Sequence, residues 1–368
     1  MSEGWSTMES DPGVMTELLE GLGASGLQVD EVFSLDRESL QQLEPVHGLI
    51  FLFKHRPEEA DRRQPDTAAA ERIYFATQAI SNACATQALL SVVLNIPEGG
   101  QIDLGEELRS LRDFSAALPP MMRGEALSNS DTIRRVHNSF VRPEPIVEEQ
   151  RNAHSGEEDD VFHFIAYVPV DGALYELVRL PHSFFSLCLC ITPQLIAIRF
   201  LTWQDGLKEG PIKLAQLDKN TRWLDMVVPA IQSRIETHAQ NEIRFSLMAV
   251  TTDKRHEACR RLESLQSERD QLKQRLDGGE GVAGSGGDGE QRQLAQIESD
   301  ISALMQELEQ EEQKRYEQRR ENVRRKHNYI PFIFNFMKVR LKLLRVFCME
   351  EICNQHLKVR SMQTGAGR

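Results

Sequence analysis

A single cysteine near the start of a predicted helix offers the clearest chemistry in this sequence of 368 residues. Cys84 falls in the first turn of a helix that the almost uniformly apolar run NACATQALLSVVLN predicts over residues 82–95. The positive end of the helix dipole favours a thiolate at that position, and the preceding Ser81 and Asn82 are of the residue types that cap helices. The pattern is compatible with a nucleophilic thiol, although a lone cysteine on an apolar helix more often fills a core.

A cysteine nucleophile needs a base, a group that orients the base, and donors for the developing oxyanion. His163 lies in the strand pattern FHFIAYVPV and is a candidate base, although a histidine in such a strand is usually a hydrogen-bonded core residue. Gln78, six residues before Cys84, carries a side-chain amide that can donate to an oxyanion. Spacing alone does not connect these residues.

The elements that would position these residues can be read from hydrophobic patterning. The run LIFLF at residues 49–53 predicts a buried strand. Two further strands, at 162–170 and 173–177, flank Asp171-Gly172, a strong hairpin signal. A fourth strand is predicted at 243–250. With the intervening helical patterns, this predicts an α/β fold in which helices surround an open mixed sheet.

Composition narrows the function classes. The net charge of −13 argues against general binding of nucleic acid, which needs a basic face. The N-terminus lacks the basic and apolar segments of a secretory signal, so the six cysteines are expected to be free thiols in a reducing compartment. Cys188 and Cys190 lack the paired spacing of a zinc site. We expect neither a metal nor a cofactor.

The composition changes after residue 252. Leucine and isoleucine recur at helical spacing in two segments, separated by a flexible glycine-rich linker at 277–290. The positions are Leu262, Leu265, Leu272 and Leu276, then Leu294, Ile297, Ile301, Leu304 and Leu308. This pattern predicts a helical hairpin or a paired coil. The basic run 319–326 is interleaved with glutamates, which favours a solvated or partner-facing helix surface.

Several segments resemble the ubiquitin C-terminal hydrolase (UCH, peptidase C12) family. QAISNACATQALLSVVLN resembles its nucleophile segment and DVFHFIAYVPVDGALYEL its histidine segment. The resemblance continues through GVMTELLEGLG, EPVHGLIFLFK, ALSNSDTIRRVHNSF, GPIKL and EIRFSLMAV, and so covers most of residues 5–250. The C-terminal helices, with ENVRRKHNYIPFI, resemble the long, proteasome-associated branch that carries a C-terminal docking domain.

The resemblance implies a papain-like UCH fold, with a central mixed sheet flanked by helices and an α-helical C-terminal extension. It divides the chain into a catalytic domain at 1–252, a docking domain at 253–338 and a divergent tail at 339–368.

The resemblance also assigns roles. Cys84 is the implied nucleophile, His163 the base that later protonates the leaving amine, and Gln78 part of the oxyanion hole. The acidic segment 142–160 takes the place of the active-site crossover loop, and residues 5–14 would lie near the ubiquitin-binding face.

One segment departs from the family. The expected aspartate, Asp205, follows 27 additional residues, 178–204. A membrane span is disfavoured because Pro193 and Arg199 interrupt the segment and the same domain continues on both sides. Two explanations remain, a genuine insertion and a translated intron, and we favour the intron. The codons of Val-Arg can contain a splice-donor sequence, and Gln204 can be encoded by CAG, which is an acceptor ending. Deletion of the segment also restores the family pattern. The tail 339–368 also begins Val-Arg and has the same interpretation.

Together these observations predict a deubiquitinating cysteine protease that cleaves after the C-terminal glycine of ubiquitin. The alternative is a catalytically impaired scaffold that binds ubiquitin and docks through its C-terminal helices. The resemblance implies, besides ubiquitin and its conjugates, a proteasomal ubiquitin receptor of the 19S particle as partner and a chromatin-remodelling complex as second host. We expect cytoplasmic and nuclear localisation, with no direct contact to nucleic acid or membrane.

Overall fold

A computed structural model describes residues 4–54, 63–78, 80–97, 99, 102–140, 162–178, 210–218, 221–239, 245–277 and 287–341. The strands are β1 Leu27–Glu31, β2 Val46–Lys54, β3 Phe162–Val170, β4 Ala173–Val178, β5 Ile212–Gln216 and β6 Ser246–Thr252. The helices are α1 Pro12–Gly21, α2 Arg37–Gln42, α3 Thr67–Arg72, α4 Cys84–Val93, α5 Gly105–Ser115, α6 Pro120–Ser128, α7 Asp131–Asn138, α8 Trp223–Ala239, α9 Lys254–Asp277 and α10 Gly287–Lys326. A 3₁₀ turn spans Ser81–Ala83, and a further helical stretch covers residues 330–341.

The six strands form one sheet in the order β1-β6-β2-β3-β4-β5. The expected sheet flanked by helices is confirmed, but the expectation of a mixed sheet is wrong, because every pairing among the described strands is antiparallel. The alternating pattern of strands and helices suggested parallel crossovers. Instead, α3 to α7 all lie in the connection between β2 and β3, which are antiparallel neighbours.

The predicted hairpin joins β3 to β4. Asp171 and Gly172 both have positive φ, 49° and 71°, as a two-residue turn of type I′ requires. Val170 pairs with Ala173 across this turn, so the turn fixes the register of the two strands. On its other side β4 pairs with β5, with Glu176 opposite Ile212.

Side chains of β3 alternate between two hydrophobic cores. Phe164, Ala166 and Val168 are buried in the core that contains α4. Ile165 and Tyr167 are buried in the opposite core, with residues of α8. Because helices cover both faces of the central strands, these strands read as continuous apolar runs rather than alternating ones.

The helical extension is the predicted hairpin. Leu272 of α9 packs with Ile297 and Ile301 of α10 in a small separate core, so the heptad pattern forms an intramolecular contact. None of the helices in the described ranges is long and apolar enough to cross a membrane.

The last part of α10 lies against the N-terminal domain. Asn322, almost fully buried, donates to the carbonyl oxygen of Gly13 at 3.1 Å, and Lys326 Nζ lies 2.8 Å from Glu17 Oε1. Arg319 pairs with Glu20 at 2.9 Å. Basic residues of the run 319–326 therefore contact acidic side chains of the same chain. The charge pattern had favoured a surface that faces solvent or a partner.

Candidate active site

Cys84 is the first residue of α4, which begins two residues later than the helix predicted over 82–95. The rest of the helix is buried, and Cys84 itself is half-buried against the core that contains α4. The helix packs against β2 and β3. The thiol therefore sits at the positive end of a helix in the middle of the fold, which favours the thiolate.

The start of α4 lacks the side-chain cap that Ser81 and Asn82 were expected to supply. The residue at its N-cap is Ala83, which makes no capping hydrogen bond. The chain already turns in helical sense at Ser81–Ala83, so Asn82 lies inside the 3₁₀ turn and is not at the N-cap. Its side-chain Nδ2 instead donates to the carbonyl oxygen of Trp5 at 2.9 Å.

Asn82 thus contacts an N-terminal strap, which we define as residues 4–6. Asn138, at the end of α7, holds the same strap: its Nδ2 donates to the carbonyl oxygen of Gly4 at 3.0 Å, and its Oδ1 accepts from the backbone N–H of Ser6 at 3.1 Å. Residues distant in sequence therefore fix the strap beside the turn that precedes Cys84.

A buried histidine connects the strap to the nucleophile helix. His137 Nε2 lies 2.7 Å from the carbonyl oxygen of Ser6, and its Nδ1 lies 2.7 Å from Thr86 Oγ1. A carbonyl oxygen only accepts, so Nε2 carries the proton and, in the neutral ring, Thr86 donates to Nδ1. Burial lowers the pKa of His137, which favours that neutral form. Trp5 packs edge-on against the imidazole, with ring centroids 5.0 Å apart.

Gln78 lies in the extended segment between α3 and the 3₁₀ turn. Its side chain is buried, and Nε2 donates to the carbonyl oxygen of Ile80 at 3.2 Å. A primary amide carries two N–H groups, and this bond uses one of them. The amide is therefore held in place shortly before Cys84, where a donor for an oxyanion would be needed.

The other two predicted site residues are described less fully. The backbone of His163 lies on β3, opposite Phe53 of β2, and α4 packs on β3. The structure thus brings the strand that carries His163 next to the helix that carries Cys84. The side chain of His163, the whole of Asp205, the segment 142–160 and the segment 179–204 lie outside the described residues.

The described side chains do not meet the requirements of a metal site. Among them, no group of three or more histidine, cysteine, aspartate or glutamate residues is arranged to hold an ion.

Two protein families match this chain. Ubiquitin carboxyl-terminal hydrolase, family 1, matches residues 5–236, and a second family, described as ubiquitin carboxyl-terminal hydrolases, matches residues 301–339. The first match contains Gln78, Cys84, His163 and Asp205. The second contains the end of α10 and most of the helical stretch 330–341.

Individual relatives resemble the chain over most of its length. Ubiquitin carboxyl-terminal hydrolase isozyme L5 of Dictyostelium discoideum is 38% identical, covering 92% of this chain and 91% of the relative. Ubiquitin carboxyl-terminal hydrolase ubh-4 of Caenorhabditis elegans is 35% identical over 92% of this chain and 88% of its own length. The crystal structure of Trichinella spiralis UCH37 bound to ubiquitin vinyl methyl ester is 30% identical, with a TM-score of 0.55, covering 83% of this chain and 99% of that one.

Proposed function

For a chain that belongs to ubiquitin carboxyl-terminal hydrolase family 1, we propose that the thiol of Cys84 performs the hydrolysis. The enzyme is a cysteine-type deubiquitinase that cleaves the bond after the C-terminal glycine of ubiquitin. The observation that carries the assignment of the nucleophile is the position of Cys84, at the first residue of a central helix packed on the strand that bears His163.

The proposed reaction has two halves. The Cys84 thiolate attacks the carbonyl carbon of the terminal glycine, and the resulting oxyanion accepts from Gln78 and from backbone N–H groups at the start of α4. His163, which holds the proton taken from the Cys84 thiol, gives it to the leaving amine as the C–N bond breaks, and a thioester remains. Water, deprotonated by His163, then attacks the thioester and releases the ubiquitin carboxylate and the Cys84 thiol. Asp205 is proposed to accept from His163 and fix its tautomer.

Covalent labelling tests the nucleophile. A ubiquitin that ends in a vinyl methyl ester should add to Cys84, raising the mass of the chain by that of one ubiquitin. Cys84→Ala should abolish the adduct, whereas Cys259→Ala, the same change at an exposed cysteine on α9, should leave it unchanged. An adduct that persists in Cys84→Ala and disappears in Cys259→Ala would refute the assignment.

Docking through the C-terminal helices is the second part of the proposal. The stretch 329–337, at the end of the docking domain, leaves an unusual set of large apolar side chains in contact with solvent, of the kind that marks an interaction site. They are Tyr329, Ile330, Phe332, Ile333, Phe334, Phe336 and Met337. We propose that this surface binds a proteasomal ubiquitin receptor of the 19S particle, with a chromatin-remodelling complex as a second host, and that the enzyme accordingly acts in cytoplasm and nucleus.

A paired substitution tests the docking surface. Phe332 and Phe336 stack with ring centroids 6.2 Å apart and are 66% and 54% exposed. Changing both to alanine should abolish co-purification with proteasomes without altering the fold of the catalytic domain. Met305→Ala is the matched control, because Met305 is equally exposed on α10 of the same extension. Equal recovery of proteasomes with both proteins would contradict the proposed surface.

The alternative function, a ubiquitin-binding scaffold without turnover, has one feature in its favour. The additional residues 178–204 begin with the last residue of β4, Val178, and the others lie between β4 and Asp205 in sequence. If the chain binds ubiquitin and retains proteasomes but hydrolyses no ubiquitin amide, even with the proteasomal partner present, the scaffold replaces the enzyme.

A further inference from the structure

We infer that Arg123 and Gly124, in the first turns of α6, are positioning residues for the Gln78 amide. The inference rests on the proposed role of Gln78 in oxyanion stabilisation. It concerns two residues that do not reach the substrate and that act through the segment 73–78.

Gly124 permits a close approach between α6 and the residue that precedes Gln78. A Cβ built on Gly124 would lie 2.1 Å from the carbonyl oxygen of Thr77, closer than any side chain tolerates. In the preceding peptide group, the N–H of Thr77 donates to the carbonyl oxygen of Pro120, the first residue of α6, at 2.9 Å. The backbone of Thr77 is thus held from α6 by a hydrogen bond and by a contact that only glycine allows.

Arg123 anchors the beginning of the same segment. Arg123 is 3% exposed, and its guanidinium donates to four backbone carbonyl oxygens at 2.7–3.1 Å. The acceptors are Ala70 and Ile73 at the end of α3, and Ser115 and Ala116 at the end of α5. A planar fork of five N–H donors can satisfy such a set, which a lysine ammonium cannot reproduce.

The residue that follows the nucleophile helix also binds the segment 73–78. Asn95, just beyond α4, accepts from the backbone N–H of Tyr74 at 2.7 Å and donates to the carbonyl oxygen of Tyr74 at 2.9 Å. Residues 73–78 are therefore clamped between the end of α4 and the start of α6. This arrangement fixes the distance between the Gln78 amide and Cys84, on which stabilisation of an oxyanion depends steeply.

A double-mutant cycle between Gly124 and Gln78 tests the inference in the full chain. The variants are Gly124→Ala, Gln78→Ala and the pair, each assayed for kcat and KM with a fluorogenic amide at the ubiquitin C-terminus. Alkylation of Cys84 by iodoacetamide is followed in parallel by the mass of the peptide that carries it. Alkylation displaces iodide and develops no oxyanion. Its rate therefore measures the reactivity of the thiol at the start of α4 independently of Gln78.

We expect Gly124→Ala to lower kcat by roughly tenfold or more, with KM and the alkylation rate within about twofold of the parent, because an oxyanion donor contributes about 10²–10³ to kcat. In the Gln78→Ala background, Gly124→Ala should change kcat by less than about twofold, since coupled residues are not additive. Gly21→Ala is the matched control, because it adds a Cβ on α1, away from the segment 73–78. That Cβ would also lie close to a neighbour, 2.8 Å from a side-chain atom of Val136.

If Gly124→Ala does not fold, Arg123→Lys replaces it in the cycle. This variant keeps the positive charge but lacks the planar set of donors, and it should show the same pattern with a smaller loss of kcat. Independent, multiplicative losses in the cycle would overturn the inference, as would an alkylation rate that falls together with kcat. Full kcat in Gln78→Ala would also overturn it, because no donor would remain to be positioned. Inactivity of Cys84→Ala in that same experiment would show that the proposed nucleophile nevertheless stands.

Discussion

Arg325 Nη2 donates to Asp11 Oδ2 at 2.9 Å, while the other carboxylate oxygen of Asp11 caps α1. Oδ1 accepts from the backbone N–H groups of Gly13 at 2.9 Å and Val14 at 3.2 Å. One carboxylate therefore stabilises the start of α1 and fastens the end of α10 to it. The helical extension is thus joined to the catalytic domain a few residues from the N-terminal strap.

The two functions of Asp11 can be separated by substitution. Asp11→Asn keeps a capping oxygen and should cost less than about 1 kcal/mol of unfolding free energy, because the ion pair is partly exposed. Asp11→Ala also removes the cap and should cost about 1 kcal/mol more. Urea unfolding measures both. In the Asp11→Asn background, Arg325→Gln should still cost up to about 1 kcal/mol, because Arg325 keeps a partly exposed pair with Glu9 at 3.0 Å. Equal costs for Asp11→Asn and Asp11→Ala would contradict the double role.

His137 predicts a loss of stability in mild acid. Burial lowers the pKa of His137 below its ordinary value of 6.5, so as pH falls below about 6.5 the unfolded chain takes up a proton before the folded chain does. Each proton of difference costs up to about 1.4 kcal/mol per pH unit. Stability should therefore be highest above that pH and decline below it.

The pH dependence can be assigned by comparing two histidines. His137→Asn should reduce the slope of unfolding free energy against pH below pH 6.5, by at most one proton. His47, whose pKa is also lowered by burial, should contribute a slope of the same sign that survives in this variant. Urea midpoints at several pH values measure both contributions, and an unchanged slope in His137→Asn would refute the assignment.

Glu176 of β4 is a buried carboxylate that pairs with two partly exposed arginines. It is fully buried, accepts from Arg63 Nη1 at 3.1 Å, and also accepts from Arg234 of α8. Glu176→Gln removes the charge that balances two guanidiniums and should cost about 2–4 kcal/mol of unfolding free energy. Arg109→Gln, which breaks an exposed pair with Asp103, should cost less than about 1 kcal/mol. Chemical denaturation distinguishes them; equal losses would contradict the pairing of buried Glu176.

The additional residues 178–204 interrupt a connection whose two ends are held together. β4 and β5 pair directly, with Glu176 opposite Ile212. Deleting 178–204 removes Val178, the last residue of β4, which pairs with Ile165, but keeps the residues of β4 that pair with β5. The unfolding free energy should rise by about 1–2 kcal/mol, because a shorter loop costs less entropy to close. Thermal and urea unfolding test this, and a deletion protein that is less stable than the parent would show that the segment contributes to the fold.

Local patterning was sufficient for the parts of the fold in which neighbours in sequence are neighbours in space. The β3–β4 hairpin followed from Asp171-Gly172, and the position of Cys84 in the first turn of α4 followed from one apolar run. The prediction of a mixed sheet is wrong, because the alternation of strands and helices in the sequence does not reveal which strands become neighbours.

The parts that patterning missed depend on contacts between distant residues. His137 meets Thr86 across 51 positions, and Arg123 meets Ala70 across 53. No short window contains both partners of either contact. His137 does lie four residues after the buried Ile133 on α7, so helical spacing alone would have marked it as a buried polar residue.

The most direct measurement is the turnover of a fluorogenic amide at the ubiquitin C-terminus by the complete chain, with Cys84→Ala and Cys259→Ala beside it. The account predicts hydrolysis by the parent and by Cys259→Ala, and a loss of turnover of at least about 10³-fold in Cys84→Ala, in which the nucleophile is absent. Turnover that survives in Cys84→Ala would contradict the central claim that this thiol at the start of α4 performs the hydrolysis.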